Sequence, residues 1–104
     1  MTETQFQRQV KEFLHSQNIW FVKYWAGGQF TKAGVPDILA CVNGHFVGIE
    51  LKTETGRTSK LQEYNLAKIR QSGGQALVLR PSGFKAFKDF IRGKVNPCNS
   101  VTVE

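Results

Sequence analysis

Residues 34–52, GVPDILACVNGHFVGIELK, decide the fold of this chain of 104 residues. Two apolar and β-branched runs flank Asn43 and Gly44, the dipeptide most typical of a two-residue hairpin turn. The sequence therefore predicts a strand over residues 37–42, a tight turn, and a returning strand over residues 45–52.

The turn also predicts which side chains face each other. With Asn43 and Gly44 at the two turn positions, Asp37 faces Glu50 across the hairpin, where opposed Cβ atoms lie about 4.5–5.5 Å apart and like charges are destabilising. Lys52 points to the same face of the sheet because side chains alternate along a strand. A four-residue loop keeps this pairing, whereas a loop with an odd number of residues and no bulge puts Asp37 opposite Leu51.

A cluster of Asp37, Glu50 and Lys52 beside an apolar sheet has two interpretations. Two carboxylates at this separation suit a hard divalent cation such as Mg²⁺, which leaves coordination positions for water and phosphate. Such an ion activates water and neutralises charge on a phosphoryl group, and a nearby ammonium orients the water or contacts the phosphate. The alternative is a buried network of ion pairs without a metal.

A capping box, Thr2-x-x-Gln5, opens the first predicted helix. Apolar residues then recur at helical spacing and form one buried stripe: Phe6, Val10, Phe13 and Leu14. Glu3 lies on the same side of the helix as this stripe. The helix is followed by a β-branched and aromatic stretch at residues 19–25, which predicts a strand, and by a glycine-containing loop at residues 26–35.

A second capping box, Ser59-x-x-Gln62, opens another helix, which ends at the glycine pair 73–74. The apolar segment 76–79 predicts a strand of the kind found at a buried sheet centre. A last helix is predicted to end at Gly93. Its inner face carries four apolar residues: Phe84, Phe87, Phe90 and Ile91. The order of elements predicts an α/β fold with a mixed four-stranded sheet flanked by helices.

Length and composition favour one small domain. We expect it to cover residues 1–93, with a tail over residues 94–104 that adds at most an edge strand at residues 101–103. Apolar residues make up 40% of the chain, which argues against intrinsic disorder. Apolar runs such as residues 19–22 are far short of a membrane span, and no secretory signal is evident, so we expect the protein in the cytosol.

Cysteines and histidines offer little chemistry in this sequence. Cys41 and Cys98 do not build a disulfide framework, and neither they nor His15 and His45 have the spacing of a zinc site. Cys41 lies in an apolar run, which predicts a small buried core residue. The candidate chemistry therefore rests on carboxylates and lysines.

The charge balance favours a polyanionic partner. Lys and Arg total 14 against 8 acidic residues, a net charge of +6, although a basic surface that serves only solubility is the alternative. Candidate phosphate contacts are the basic residues that flank the carboxylates: Lys23, Lys32, Arg57 and Lys60. Four aromatic residues favour a core or interface role over stacking on unpaired bases: Trp20, Phe21, Tyr24 and Trp25.

Residues 34–37, GVPD, followed after twelve residues by residues 50–52, ELK, resemble the signature of the PD-(D/E)xK nuclease superfamily. The predicted order of helices and strands resembles its restriction-endonuclease-like core. Within that superfamily, the G-x-P-D segment and residues 59–62, SKLQ, resemble the VRR-NUC family, and Glu3 also fits. The resemblance covers about residues 2–80.

The resemblance implies metal-dependent phosphodiester cleavage of DNA, with Mg²⁺ as the cofactor and Mn²⁺ as a substitute. Asp37 and Glu50 would be metal ligands, and the carbonyl of Leu51 would complete the protein contacts to the metal. Lys52 would position or deprotonate the attacking water.

Two further residues receive a role from the resemblance. Glu3 would supply an outer carboxylate to the metal, directly or through water, and Gln62 would lie near the catalytic site. The alternatives from local structure are a helix-dipole role for Glu3 and plain capping for Gln62.

We therefore expect a small stand-alone endonuclease selective for branched DNA, such as a Holliday junction or a flap. A homodimer would supply two active centres for two strands, with the strand 19–25, the loop 26–35 and the tail after Gly93 as candidate contacts. Small phage or mobile-element nucleases of the family are similar in size, which would make the host cytoplasm the compartment. The alternatives are a catalytically silent DNA-binding module and a nuclease subunit of a larger complex.

Overall fold

The computed structural model describes residues 1–25, 27–29 and 31–94, the last of them by its backbone alone. The helices and strands are, in chain order, α1 (Glu3–Ser16), β1 (Trp20–Lys23), β2 (Ile38–Val42), β3 (His45–Leu51), α2 (Lys60–Gln71), β4 (Gln75–Leu79) and, after a 3-10 turn (Pro81–Gly83), α3 (Phe84–Lys94). This order confirms the prediction. The tail beyond residue 94, with the edge strand expected at residues 101–103, lies outside the described residues.

The four strands form one mixed sheet in the order β1-β2-β3-β4, in which β4 runs parallel to β3 and the other neighbours are antiparallel. Asn43 and Gly44 have φ values of 52° and 81°, the two left-handed conformations of a type I′ turn. Val42 pairs with His45 across this turn, and the register continues to the last ladder pair, Ile38 with Ile49. The predicted pairing of the hairpin is therefore confirmed.

The hydrophobic core lies between the sheet and two helices, α1 and α3. It includes the whole predicted stripe of α1, which is buried: Phe6, Val10, Phe13 and Leu14. The ring of Phe84 in α3 packs edge-on against Phe6, with centroids 5.6 Å apart. The third helix, α2, packs on the opposite face of the sheet, where a Cβ at Gly48 would lie 3.0 Å from Ile69 Cδ1. None of the described helices has the length and apolarity needed to span a bilayer.

The structure corrects the predicted place of β4. Among the described strands, β4 lies at the sheet edge and pairs with β3, not at the centre. Its apolar sequence has another cause, because Leu79 packs into the core with α1 and α3 while Ala76 is buried on the face that α2 covers. Helices on both faces, rather than strands on both sides, make this strand apolar.

Three single-residue predictions are wrong. Gly93 does not end α3, which continues to Lys94. Phe90 is 36% exposed, because the buried stripe of α3 follows Phe87 and Ile91, four residues apart, and Phe90 lies beside it. Cys41 is exposed, since it faces the same side of the sheet as α2 but lies in the half over β1 and β2 that α2 leaves open.

The strands are also shorter than predicted at the end that carries the polar residues. Strand β1 covers Trp20–Lys23 instead of residues 19–25, and Asp37 and Lys52 lie just beyond the ends of β2 and β3. Because the ladder of β2 and β3 ends before Asp37 and Lys52, these two residues lie at the open end of the hairpin, opposite its turn.

Candidate active site

Asp37 is held where the ladders of β2 with β1 and β3 end. Its backbone carbonyl accepts a hydrogen bond from the Tyr24 N–H at 2.8 Å, and its Oδ2 accepts one from the Leu51 N–H at 2.8 Å. The side chain is 25% exposed. Two neighbouring strands therefore orient this carboxylate while leaving part of it open to solvent.

The residues before Asp37 explain why a glycine and a proline precede it. Gly34 has a φ of +80°, and a Cβ there would lie 2.6 Å from Leu61 Cγ of α2. Pro36 is fully buried, and its ring would contact a Cβ at Gly48 at 3.1 Å. The segment thus passes between α2 and the sheet, where only a glycine and a compact apolar ring fit.

Glu50 is the deeper of the two carboxylates. It is 3% exposed and lies in β3, at the position that the hairpin register brings opposite Asp37. Its Oε2 accepts a hydrogen bond from Gln62 Nε2 at 3.0 Å and lies 3.8 Å from the ammonium nitrogen of Lys52. The two carboxylates and the ammonium predicted from the turn are therefore brought together.

Burial raises the pKa of Glu50 from its ordinary value of 4.5 to about 7, and the charge of Asp37 adds to the effect. The Lys52 ammonium lowers this pKa, whereas a hydrogen bond to Asp37 and the more distant charge of Glu3 raise it further. The low polarity around Glu50 and the neighbouring carboxylate thus both disfavour its charged form.

Gln62 serves as a helix cap and as a site residue at the same time. Its Oε1 accepts a hydrogen bond from the Ser59 N–H at 2.9 Å, which completes the capping box of α2. Its Nε2 donates to Glu50 at 3.0 Å. The two interpretations of this residue are thus compatible, because each uses a different atom of one amide.

The remaining predicted residues surround this centre unevenly. Lys32, Arg57 and Lys60 are exposed, as contacts to a phosphate backbone require. Glu3 is exposed at the start of α1, and its charge contributes to the raised pKa of Glu50. Lys23 differs, because its ammonium lies 3.6 Å from Asp37 Oδ1 instead of facing solvent.

Sequence reasoning missed the contact of Lys23 with Asp37. No short turn fixes the register of β1 against β2, because a long loop joins the two strands. It also missed the role of Arg80, whose Nη1 donates to the carbonyls of Thr53 at 2.6 Å and Gly56 at 2.7 Å. Arg80 thereby ties down the loop that carries Arg57 between β3 and α2.

The sequence matches the model of the archaeal Holliday junction resolvase (Hjc) family over residues 3–87, a span that contains Glu3 and the whole Asp37–Glu50–Lys52 cluster. The chain belongs to the Hjc family. Hjc proteins are structure-selective, metal-dependent endonucleases that resolve Holliday junctions, and they belong to the restriction-endonuclease-like superfamily. The superfamily, the nuclease activity and the action on DNA are thus confirmed, whereas the VRR-NUC family is not. No curated protein matches the sequence.

The residues of this Hjc protein fit a divalent cation. Among the described residues, no cluster of three or more His, Cys, Asp and Glu side chains is arranged to hold a metal. Mg²⁺ requires only one or two protein carboxylates, because it keeps several waters and takes phosphate oxygens. The two carboxylates opposite each other on the hairpin, each held in place by a hydrogen bond, supply this number of oxygen ligands.

Proposed function

We propose that this Hjc protein is a magnesium-dependent resolvase that cuts four-way DNA junctions as a homodimer. The observation that carries the proposal is that Asp37, Glu50 and Lys52 lie together at the open end of the hairpin. Mn²⁺ is expected to substitute for Mg²⁺, because both prefer oxygen ligands. The resemblance to VRR-NUC nucleases stays a prediction beside this assignment.

Asp37 and Glu50 would hold the ion, with the carbonyl of Leu51 as a further ligand and Glu3 as an outer carboxylate. When bound, the ion supplies an activated water and neutralises charge on the reacting phosphate. The protein prepares this site by holding Asp37 through the Leu51 N–H and Glu50 through Gln62, so neither carboxylate has to be ordered on binding.

Lys52 would act on the attacking water or on the scissile phosphate. Its side chain is only 18% exposed, and its ammonium lies 3.8 Å from Glu50 Oε2, so it is held at the wall of the site. An ammonium donates hydrogen bonds and carries positive charge, both of which suit it to orient water and to stabilise a phosphoryl transition state.

Exposed basic residues support binding to the DNA backbone. Lys32, Arg57 and Lys60 are free of the ion pairs that engage Lys23 and Lys52 among the described side chains, and the chain carries a net charge of +6. Phosphate contacts provide affinity and orientation without sequence information. This pattern supports selection by the shape of a junction instead of by its sequence.

A row of exposed apolar side chains supports the homodimer. Trp20, Cys41 and Phe46 face one another across β1, β2 and β3, and the two rings are 68% and 45% exposed. With Val22, which is 39% exposed, they form what we call the open face of the sheet. Apolar patches of this kind mark partner sites, and a symmetric pair of subunits supplies two active centres for two strands.

The catalytic assignment predicts that D37N and E50Q each reduce cleavage of a four-way junction by at least about a thousandfold, because each removes a charged metal ligand. Cleavage is measured under single-turnover conditions with Mg²⁺ and with excess EDTA. The control is D89N, which neutralises an exposed carboxylate that pairs with Lys85 and Arg92 on α3.

D89N is expected to cut like the wild type, and EDTA to abolish cleavage by both. Because D37N and E50Q also remove the repulsion between the two carboxylates, their metal-free melting temperatures should equal or exceed that of the wild type. Retained cleavage by both variants would refute the assignment of the site.

The dimer has its own test, which is the mass by light scattering at micromolar concentration. We expect about twice 11.7 kDa for the wild type and a monomer for W20E, which puts a charge in the open face. The matched control is Y64E, since Tyr64 is an exposed aromatic residue of α2 outside the open face. A wild-type mass near 11.7 kDa with full activity on junctions contradicts the dimer.

A further inference from the structure

Each carboxylate of the site has an ammonium group of its own. Lys52, which belongs to the nuclease signature, lies against Glu50, and Lys23 of β1 lies against Asp37. The nuclease signature contains no residue from β1. Lys23 therefore raises the question of what a second cation does at a site that binds divalent metal.

Three groups hold the Lys23 ammonium close to the site. Its Nζ lies 3.6 Å from Asp37 Oδ1, donates to the carbonyl oxygen of Tyr24 at 3.4 Å, and lies 5.2 Å from the ring centre of Trp25. The side chain is 22% exposed. All three groups present negative potential, so the charge is retained at the edge of the sheet instead of extending into solvent.

The oxygen that Lys23 contacts is the one that matters for metal binding. Asp37 Oδ2 already accepts a hydrogen bond from the Leu51 N–H at 2.8 Å. Among the described residues, no backbone N–H donates to Oδ1, and the ammonium of Lys23 lies beside it. A divalent ion held by Asp37 through this oxygen would compete with the Lys23 ammonium, whose nitrogen lies 3.6 Å from Oδ1.

We propose that Lys23 is a positioning residue that neutralises Asp37 in the metal-free protein and competes with the divalent ion for Oδ1. Metal binding releases the ammonium, which the Tyr24 carbonyl and the Trp25 ring keep at the rim of the site. There it can contact a DNA phosphate, the role that its sequence position predicted. The inference rests on the proposed function, because it requires Asp37 to be a metal ligand.

Competition has a consequence that a structural role does not share. Replacing Lys23 by Gln removes the competing charge, so Mn²⁺ should bind more tightly. The same change leaves Asp37 unneutralised in the metal-free protein. The melting temperature of K23Q should therefore fall without metal and recover at saturating Mn²⁺. If Lys23 only held Asp37 in place, its loss would loosen the site and weaken metal binding.

The experiment is calorimetric titration of the full chain with Mn²⁺ alone at pH 8, for the wild type, K23Q, K23R, K60Q and D37N. Lys60 is the charge-matched control, because it lies in the first turn of α2 near Gln62 but is exposed. We expect K23Q to tighten Mn²⁺ binding about three- to tenfold more than K60Q, and K23R to restore the wild-type affinity. Melting temperatures with and without Mn²⁺ accompany each titration.

Two results separate this inference from the proposed function. If K23Q binds Mn²⁺ no more tightly than K60Q while D37N loses binding, the competition is refuted and the metal site stands. If D37N binds Mn²⁺ like the wild type, the metal site itself is refuted and the role of Lys23 falls with it. A K23Q melting temperature that stays low at saturating Mn²⁺ also overturns the competition, because it shows a structural defect.

Discussion

Helices α1 and α2 begin with the same local device and differ in what it touches. In both, the hydroxyl of the capping residue accepts from the third helical N–H, and a glutamine oxygen accepts from the N–H of the capping residue. Gln5 and Gln62 make this second bond at 2.8 Å and 2.9 Å. The two capping boxes therefore contribute similarly to the stability of the first turns of α1 and α2.

The difference lies in the second atom of each amide. Gln5 is exposed, whereas Gln62 uses its Nε2 to hold the buried carboxylate of Glu50 at 3.0 Å. A capping box thus becomes part of an active site without any change in its own pattern. The difference comes from strand β3, which places Glu50 within hydrogen-bonding distance of Gln62.

The largest expected effect concerns Glu50, the carboxylate that accepts a hydrogen bond from Gln62 of the α2 capping box. Because its folded pKa of about 7 lies above its ordinary value of 4.5, the folded protein binds this proton more tightly than the unfolded chain. The stability from this group is fully present below pH 4.5 and is lost as the pH rises through 7, by roughly 2–3 kcal/mol.

Urea unfolding in EDTA between pH 5 and pH 8 measures this loss. E50Q should remove most of the decline, whereas E12Q, which changes an exposed carboxylate of α1, should keep it. Parallel pH profiles for the wild type and E50Q would contradict the assigned pKa of Glu50.

The next effect compares the two glutamines directly. Glutamate also completes a capping box, so Q5E and Q62E both keep the helix cap. Q62E, however, loses the donor to Glu50 and adds a carboxylate beside it. We expect junction cleavage by Q62E to fall about 10- to 100-fold and cleavage by Q5E to stay within twofold of the wild type. Equal cleavage rates for Q5E and Q62E would show that Gln62 serves only as a helix cap.

The smallest effect compares the charges of the two helices. Lys60 lies in the first turn of α2 and Arg57 in the loop before it, whereas Arg8 and Lys11 lie on α1. We expect the double variant R57Q/K60Q to weaken junction binding several-fold and to reduce the slope of affinity against salt by about 2. The control R8Q/K11Q should change neither. Fluorescence anisotropy over a salt series measures both, and equal slopes for the two double variants would show that the net charge alone governs binding.

Local signals in the sequence predicted much of the centre. Asn43 and Gly44 specify one turn type, which sets the register of β2 and β3 and brings Asp37 opposite Glu50. The capping boxes located both helix starts to the residue. Such predictions succeed because the interacting residues are close in sequence, so few alternative geometries exist.

Predictions failed where tertiary packing decides the environment. The apolar sequence of β4 is compatible with a central strand, and only the helices on both of its faces explain an edge position. Cys41 has the sequence surroundings of a core residue, but the open half of the sheet exposes it. The contact of Lys23 with Asp37 depends on a register that no short loop specifies. In each case the deciding neighbour is remote in the chain.

The central claim, that Asp37 and Glu50 form a divalent-metal centre, is tested most directly by a crystal structure of the wild type grown at pH 8 with Mn²⁺. Anomalous scattering locates the ion without reference to activity. We predict an anomalous peak between the two carboxylates, within coordination distance of both and of the Leu51 carbonyl. Saturating Mn²⁺ with no peak there, and with Asp37 and Glu50 still paired only with Lys23 and Lys52, would contradict the account.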